Sequence, residues 1–126
     1  MDKNKPVTLL VVDDSLIMRK AIIKYLENFN LEIVGTANNG DKALDLFREY
    51  NPDVVTLDIT MPGIDGLYVL ERMIKINKSA KIIVITALSD KETGLKAINM
   101  GAKSYLSKPF SQKKLQDIFE KTISTD

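Results

Sequence analysis

The chain has 126 residues, of which 44% are apolar and 28% are charged. This is enough material for one compact core, so we expect a single domain spanning residues 1–126. Lys and Arg total 18 against 17 Asp and Glu, and a net charge of +1 provides no cationic field for binding nucleic acid directly. The apolar runs are far shorter than the ~18 residues of a membrane span, and the early run at Leu9–Val12 is too short for a secretory signal. We therefore expect a cytoplasmic protein without membrane insertion.

The chain contains no Cys and no His. Disulfides, thiolate nucleophiles and Cys-ligated zinc are thereby excluded, together with the commonest general base and metal ligand. Any chemistry must use carboxylates, hydroxyls, amines and a hard metal ion with oxygen ligands, such as Mg²⁺.

Short apolar runs alternate with segments of helical period along the whole chain. The runs predict five strands, at Thr8–Val12, Glu32–Thr36, Asp53–Leu57, Ile82–Thr86 and Ser104–Leu106. Apolar residues three and four apart follow each strand and predict five helices, carried by Met18, Ala21, Ile22, Tyr25, Leu26 and Phe29; Ala43, Leu44, Phe47 and Tyr50; Leu67, Leu70 and Ile74; Leu95 and Ile98; Leu115, Ile118 and Phe119. This alternation predicts an α/β fold, in which helices cover both faces of a parallel sheet.

Turn and capping residues fit the same organisation. Gly40, Gly63, Gly66 and Gly101 are predicted to lie in the loops, and Ser111 is a suitable N-cap for the last helix.

Polar side chains gather at the carboxyl ends of the predicted strands. The first strand ends in Asp13 and Asp14, the third runs into Asp58, the fourth ends at Thr86, and the fifth is followed by Lys108. In open parallel sheets ligands bind beyond this edge, where the strand order reverses. We therefore expect three carboxylates, a hydroxyl and an amine to meet there.

Three clustered carboxylates repel one another and need compensation. Each close pair costs about 4 kcal/mol at an effective dielectric constant near 20, so the cluster predicts a Mg²⁺ site. With the charge neutralised, a carboxylate can attack phosphorus and form an acyl phosphate. Asp58 is the predicted nucleophile because it ends the central strand, Lys108 would stabilise charge beside it, and the Thr86 hydroxyl would bind the new phosphoryl oxygens.

Each of these residues also has an ordinary interpretation. Asp13 and Asp14 could cap the helix that begins near Ser15, since acids favour helix N-termini. Asp58 and Lys108 could be a loop acid and a surface amine, and Thr86 could be a β-branched strand residue. Their joint occurrence at one sheet edge favours the functional interpretation.

The motifs resemble those of the receiver domain of two-component response regulators, over nearly the whole chain. The matching segments are Leu10–Asp14, Pro52–Leu67, Ile82–Ala87, Gly101–Ala102 and Lys108–Phe110. The resemblance implies a flavodoxin-like doubly wound sheet with strand order 2-1-3-4-5, and a cis peptide bond before Pro109.

The resemblance also implies a role for each site residue. Asp58 is the phosphoacceptor, Lys108 binds the phosphoryl group, and Asp14, Asp58 and the backbone carbonyl of Thr60 are Mg²⁺ ligands, with Asp13 acting through a water. Tyr105 takes the place of the aromatic switch residue of receivers, which turns as Thr86 moves toward the phosphoryl group.

The implied function is that of a single-domain response regulator, expected to be a monomer, phosphorylated by a histidine kinase. Its fourth helix, fifth strand and fifth helix would form the output face, binding a flagellar switch protein in chemotaxis or a phosphotransfer protein or kinase in another phosphorelay. The chain would catalyse only its own phosphorylation and dephosphorylation, and so would not be a turnover enzyme.

Three other functions are disfavoured by particular residues. A phosphatase with an aspartate nucleophile usually has a second Asp two residues later, where this chain has Thr60. A nucleotide-binding module needs a glycine-rich turn after the first strand, which here reads Asp13-Asp14-Ser15. A receiver used only for interaction should have lost an acid, Thr86 or Lys108, and all are present.

Two positions differ from the best-known chemotaxis relative of this kind. Thr60 and Leu88 each stand two residues after a site residue, and they replace polar groups thought to tune the loss of the phosphoryl group. The lifetime of the phosphorylated state is therefore left open by the sequence.

Overall fold

The structure is a computed structural model that describes residues 4–63, 65–87 and 90–124. Within these residues five strands and five helices alternate along the chain. The strands are β1 (Val7–Val12), β2 (Leu31–Ala37), β3 (Val54–Asp58), β4 (Lys81–Thr86) and β5 (Ser104–Ser107). The helices are α1 (Leu16–Tyr25), α2 (Gly40–Tyr50), α3 (Gly66–Ile76), α4 (Lys91–Met100) and α5 (Gln112–Ser124).

All strand pairs are parallel, and the sheet order is β2-β1-β3-β4-β5. This confirms the predicted α/β class and the flavodoxin-like topology. The order reverses beside β1, so the carboxyl ends of β1 and β3 border the crevice where ligands bind in such sheets.

Two apolar layers hold the helices to the sheet. One apolar layer joins α2, α3 and α4 to one face of the sheet through residues such as Phe47, Leu70 and Val84. The other joins α1 and α5 to the opposite face through residues such as Ile22, Ile85 and Phe119. Strands β3 and β4 are buried along their whole length, which explains why their sequences are continuous apolar runs without alternation.

The five predicted helices are present, but a few of the apolar residues assigned to them lie outside the helix or outside the core. Helix α1 ends at Tyr25 rather than continuing to Phe29, although the Phe29 ring still packs edge-on against Phe119 at 4.9 Å between centroids. Tyr50 and Leu95 are 48% and 55% exposed, so neither belongs to the core. On α4 the buried positions are instead Gly94 and Ala97, because this helix approaches the sheet with its smallest side chains.

Two of the four glycines predicted for loops begin helices. Gly40 and Gly66 are the first residues of α2 and α3, whereas Gly63 and Gly101 lie outside the helices with positive φ angles of 85° and 121°. Gly66 is needed for a close approach, since a Cβ atom there would lie 2.3 Å from the Cα of Ile59. The start of α3 is thus pressed against the backbone that follows β3.

Side chains cap the starts of α1, α2, α3 and α5, whereas Asp90 at the start of α4 makes no such hydrogen bond. Ser111 accepts a hydrogen bond from the backbone N–H of Lys114, which confirms the N-cap predicted for the last helix.

Among the described helices, none is both long and apolar enough to cross a membrane.

Candidate functional site

The polar strand-end residues lie on adjacent strands of the sheet. Asp13 follows β1, Asp58 ends β3, Thr86 ends β4, and Lys108 follows β5. Since these strands are neighbours in the order β1-β3-β4-β5, their carboxyl ends stand side by side along one rim. The fold therefore brings together residues separated by up to 95 positions in the sequence.

Three carboxylates form a compact cluster at this rim. Asp13, Asp14 and Asp58 each offer one oxygen within 4.8 Å of the others. Asp13 and Asp58 are 0% and 2% exposed, whereas Asp14 is exposed to solvent. At this separation each ionised pair repels by about 3 to 4 kcal/mol at an effective dielectric constant near 20.

The ammonium group of Lys108 compensates part of this charge. Its Nζ lies 3.1 Å from Oδ2 of Asp58 and 2.9 Å from Oδ2 of Asp13. The sequence analysis expected Lys108 beside Asp58, whereas its pairing with Asp13 was not anticipated. One ammonium between two carboxylates leaves the rim negatively charged, because Asp14 adds a third acid.

The pKa values at the rim follow from burial and from these contacts. Burial raises the pKa of the Asp13 carboxyl, opposed by the hydrogen bond from Ser15 and the close contact with Lys108 and assisted by the nearby charge of Asp58. Burial alone would lower the pKa of Lys108, but its close contacts with the carboxylates of Asp13 and Asp58 outweigh this and raise it. Lys108 is therefore a permanent positive charge at neutral pH.

The capping interpretation of Asp13 and Asp14 is not the one that the structure adopts. The N-cap of α1 is Ser15, whose Oγ accepts a hydrogen bond from the N–H of Met18. Asp13 instead accepts the backbone N–H of Ser15 at Oδ1, at 2.9 Å, while its carbonyl oxygen accepts a hydrogen bond from Arg19 at 2.7 Å. The Asp13 side chain is thus held facing the rim.

The donor atoms at the rim suit a divalent cation. Three carboxylates from two strands converge, and among the described residues the buried Oδ2 of Asp13 has an ion pair with Lys108 but no well-aligned hydrogen bond. Oxygen ligands of high charge are those that hard cations prefer. The acidic cluster is therefore compatible with Mg²⁺.

The two oxygens of Asp58 have different partners. Oδ1 accepts hydrogen bonds from the backbone N–H and from the side-chain hydroxyl of Thr60, each at 2.9 Å. Oδ2 faces Lys108. The hydroxyl contact was missed by the sequence reasoning, although an Asp commonly accepts a hydrogen bond from the backbone two residues later and this signal was available.

Thr86 and Tyr105 lie on the same face of the sheet. Tyr105 is paired with Val84 in the register between β4 and β5, and Thr86 is two residues beyond Val84. Alternate residues of a strand share a face, so both side chains point toward α4. Thr86 is fully buried, and its Oγ1 lies 3.4 Å from Oγ of Ser107.

The ring of Tyr105 rests against α4. It is half-buried beside the core layer beneath α2, α3 and α4, and a Cβ atom at Gly94 would lie 2.6 Å from its Cδ2. The peptide bond between Lys108 and Pro109 is cis, as the resemblance implied. Leu88, the second position that differs from the chemotaxis relative, lies outside the described residues.

The acids, Thr86 and Lys108 inferred from the sequence thus share one rim, and Tyr105 lies against Gly94 of α4. The phosphoacceptor, metal-ligand and switch roles of these residues stay predictions.

Comparison with known proteins identifies the family. The model of the family described as "Response regulator receiver domain" matches residues 9–120. The chain therefore belongs to the response-regulator receiver domain family.

Proteins named for chemotaxis are among its relatives. The chemotaxis protein CheY of Bacillus subtilis is 36% identical over 116 residues, covering 92% of this chain and 97% of the relative. A solved structure of CheY from Borrelia burgdorferi, in a complex with CheX, BeF₃ and Mg²⁺, has a TM-score of 0.88 and 30% identity, and the match covers 97% of this chain and 92% of that one.

An enzyme also appears among the relatives, but only as a larger protein. A protein-glutamate methylesterase/protein-glutamine glutaminase of Syntrophomonas wolfei is 45% identical over 107 residues, which are 82% of this chain and 30% of that enzyme. Receiver domains are generally not catalytic enzymes, and such an esterase is a multidomain relative.

Proposed function

We propose that this chain is a single-domain response regulator that accepts a phosphoryl group on Asp58 from a histidine kinase in a Mg²⁺-dependent reaction. The observation that carries the proposal is the environment of Asp58. Its buried Oδ2 faces the ammonium of Lys108 at 3.1 Å, and two further carboxylates lie within 4.8 Å. Family membership and the Mg²⁺ in the related CheY structure support it.

The chain supplies the nucleophile and one positive charge for the transfer step. Oδ2 of Asp58 attacks the phosphorus of a phosphohistidine, an O–P bond forms while the P–N bond breaks, and the imidazole leaves with the electron pair of that bond. Lys108 keeps its proton, since its pKa is raised, and stabilises negative charge on the phosphoryl oxygens. Hydrolysis of the acyl phosphate by water returns the carboxylate and releases inorganic phosphate.

Metal ligation uses the oxygen atoms of the same rim. Asp14, Asp58 and the backbone carbonyl of Thr60 would hold Mg²⁺, with Asp13 acting through a water. When bound, Mg²⁺ would neutralise the acids and the charge that develops on the phosphoryl oxygens.

Signal output would follow from the contact between β5 and α4. The Thr86 hydroxyl would turn toward the phosphoryl oxygens, and the Tyr105 ring would move into the space released on the same face of the sheet. The surface of α4, β5 and α5 would then bind a flagellar switch protein in a cytoplasmic chemotaxis pathway, as the CheY relatives favour. A phosphotransfer protein in another phosphorelay is the alternative partner.

Incubation with acetyl phosphate tests the acceptor assignment. Wild-type protein with Mg²⁺ should gain one phosphoryl group that hydroxylamine removes, and EDTA should prevent the gain. Asp58→Asn should abolish it, whereas the control Asp45→Asn, at a side chain 81% exposed on α2, should not. Equal labelling of Asp58→Asn and wild-type protein would refute the proposal.

A further inference from the structure

The side-chain hydroxyl of Thr60 occupies a position on Asp58 that a metal ion would need. Its Oγ1 lies 2.9 Å from Oδ1 of Asp58, and the backbone N–H of Thr60 lies at the same distance from that oxygen. A carboxylate oxygen has two lone pairs. Both lone pairs of Oδ1 are therefore engaged by Thr60.

Oδ2 of Asp58 is less suitable than Oδ1 for binding a metal ion, because it already pairs with the cationic Lys108. Oδ2 is 3.1 Å from the ammonium of Lys108, and Oδ2 of Asp13 is 2.9 Å from the same group. A divalent ion placed at either atom would face the charge of Lys108 at close range with little solvent between them. The side of the cluster away from Lys108 is the one that carries Oδ1.

The two Thr60 groups that donate hydrogen bonds to Oδ1 of Asp58 differ in mobility. The N–H of Thr60 is fixed by the backbone that connects β3 to α3, and this backbone is held where Gly66 packs against Ile59. The hydroxyl needs only a rotation about χ1 to a second staggered position. Thr60 is half-buried, so its side chain is partly exposed to solvent.

We propose that the Thr60 hydroxyl is a competitor of Mg²⁺ for Oδ1 of Asp58, a side-chain donor that must be displaced before the metal binds. The inference rests on the proposed function, because it concerns the same metal site. It assigns to the Thr60 side chain a positioning role separate from that of its backbone carbonyl: it holds Asp58 in place without metal and weakens metal affinity by the cost of its release.

The competition predicts that removal of the hydroxyl tightens Mg²⁺ binding. A typical net hydrogen-bond contribution corresponds to a gain in affinity of about threefold to tenfold. Thr60→Val keeps the side-chain shape and the backbone carbonyl while deleting the donor. Thr60→Ser keeps the hydroxyl and should bind Mg²⁺ within about twofold of wild type.

A matched control exists on α4. The Thr93 hydroxyl donates to Oδ1 of Asp90, and neither residue belongs to the acid cluster found among the described residues. Thr93→Val deletes a hydrogen bond of the same type and should leave Mg²⁺ affinity unchanged.

Isothermal titration calorimetry with MgCl₂ measures all four proteins, and the amide resonance of position 60 in ¹⁵N NMR spectra reports the site of binding. Tighter binding by Thr60→Val alone supports the competition. Equal or weaker binding by Thr60→Val, in a protein whose wild type binds Mg²⁺ and is labelled at Asp58, overturns it while leaving the proposed function intact. Wild-type protein that binds no Mg²⁺ would overturn both.

Discussion

Lys108 and Asp58 form an ion pair at the rim of the sheet, with Nζ 3.1 Å from the carboxylate oxygen Oδ2. The two residues are 50 positions apart in the chain and meet because β5 and β3 flank β4. Asp13 shares the same ammonium at 2.9 Å. Lys108 is thus the positive charge that makes a buried pair of acids tolerable without metal.

Replacement of Lys108 by Met should slow phosphorylation at least tenfold. The charge that develops on the phosphoryl oxygens would lose its ammonium partner, and removal of one such group costs about two orders of magnitude in other enzymes. The initial rate of acetyl phosphate labelling measures the effect. Lys113→Met, at a side chain 83% exposed, is the control and should keep the wild-type rate. An unchanged rate for Lys108→Met would exclude a role in the transfer.

Asp13→Asn should stabilise the protein in buffer containing EDTA. Burial raises the pKa of this carboxyl, so its ionised form is less favourable in the folded protein than in the unfolded chain. The stability gained by Asp13→Asn should be largest at pH values above the pKa of Asp13 in the folded protein. It should disappear as the pH falls toward the ordinary pKa of an Asp carboxyl. Near neutral pH the Tm of Asp13→Asn should therefore exceed that of wild type.

Thermal melts across pH 4–8 check this sign, with Asp45→Asn as the exposed control. A ligand that binds only the folded state stabilises it. Saturating Mg²⁺ should therefore raise the Tm of wild type, and should raise that of Asp13→Asn less, because the variant lacks one of the three clustered carboxylates. A gain for Asp13→Asn that grows as the pH falls would contradict the account.

Substitution of Thr86 by Ala should separate phosphorylation from switching. The variant retains Asp58 and Lys108, so it should still accept a phosphoryl group. The Tyr105 ring should no longer change its environment on phosphorylation, because the hydroxyl that would turn toward the phosphoryl group is gone. NMR of the Tyr105 ring, compared with Thr86→Ser as a rescue, provides the measurement. Equal ring shifts in Thr86→Ala and wild type would refute the relay.

Gly94→Ala should displace the Tyr105 ring without phosphorylation. The new Cβ would lie 2.6 Å from Cδ2 of the ring, too close for the two atoms to coexist. The ring resonances of Tyr105 should therefore shift in the unphosphorylated protein. Gly35→Ala, whose Cβ would meet Leu46 instead, is the control. Unshifted Tyr105 resonances in Gly94→Ala would show that α4 moves aside, leaving the ring in place.

Thr56→Val should raise the free energy of unfolding by about 1 kcal/mol. Thr56 is fully buried in the middle of β3, and its hydroxyl has no hydrogen-bond partner in the part of the chain that the structure describes. Thr122→Val offers the opposite case, because that buried hydroxyl donates to the carbonyl of Ile118 at 2.7 Å. Urea unfolding of both variants should therefore give a gain for the first and none for the second. A Thr56→Val protein no more stable than wild type would contradict the assignment of an unpaired hydroxyl.

Sequence reasoning was most successful where one physical constraint dominates. Strands buried on both faces, such as Ile82–Thr86, are almost continuously apolar, and parallel topology then brings their polar end residues to one rim. Leu95 was misassigned because helical period alone does not reveal which small residues, here Gly94 and Ala97, approach the sheet.

The location of the site could be predicted from the sequence, whereas several contacts within it could not. The second ion pair of Lys108 depends on the length and direction of side chains from separate strands. The Thr60 hydroxyl contact depends on a rotamer, which no spacing determines. Ser15, not Asp13 or Asp14, caps α1, because the acids are already turned to the rim.

The most direct measurement of the central claim is the location of the phosphoryl group. Protein labelled with acetyl phosphate and Mg²⁺ is reduced with borohydride, which converts an aspartyl phosphate to homoserine, and is then mapped by peptide mass spectrometry. We predict homoserine at position 58 alone. Homoserine at Asp13 or Asp14, or a labelled protein unchanged at position 58, would contradict the account.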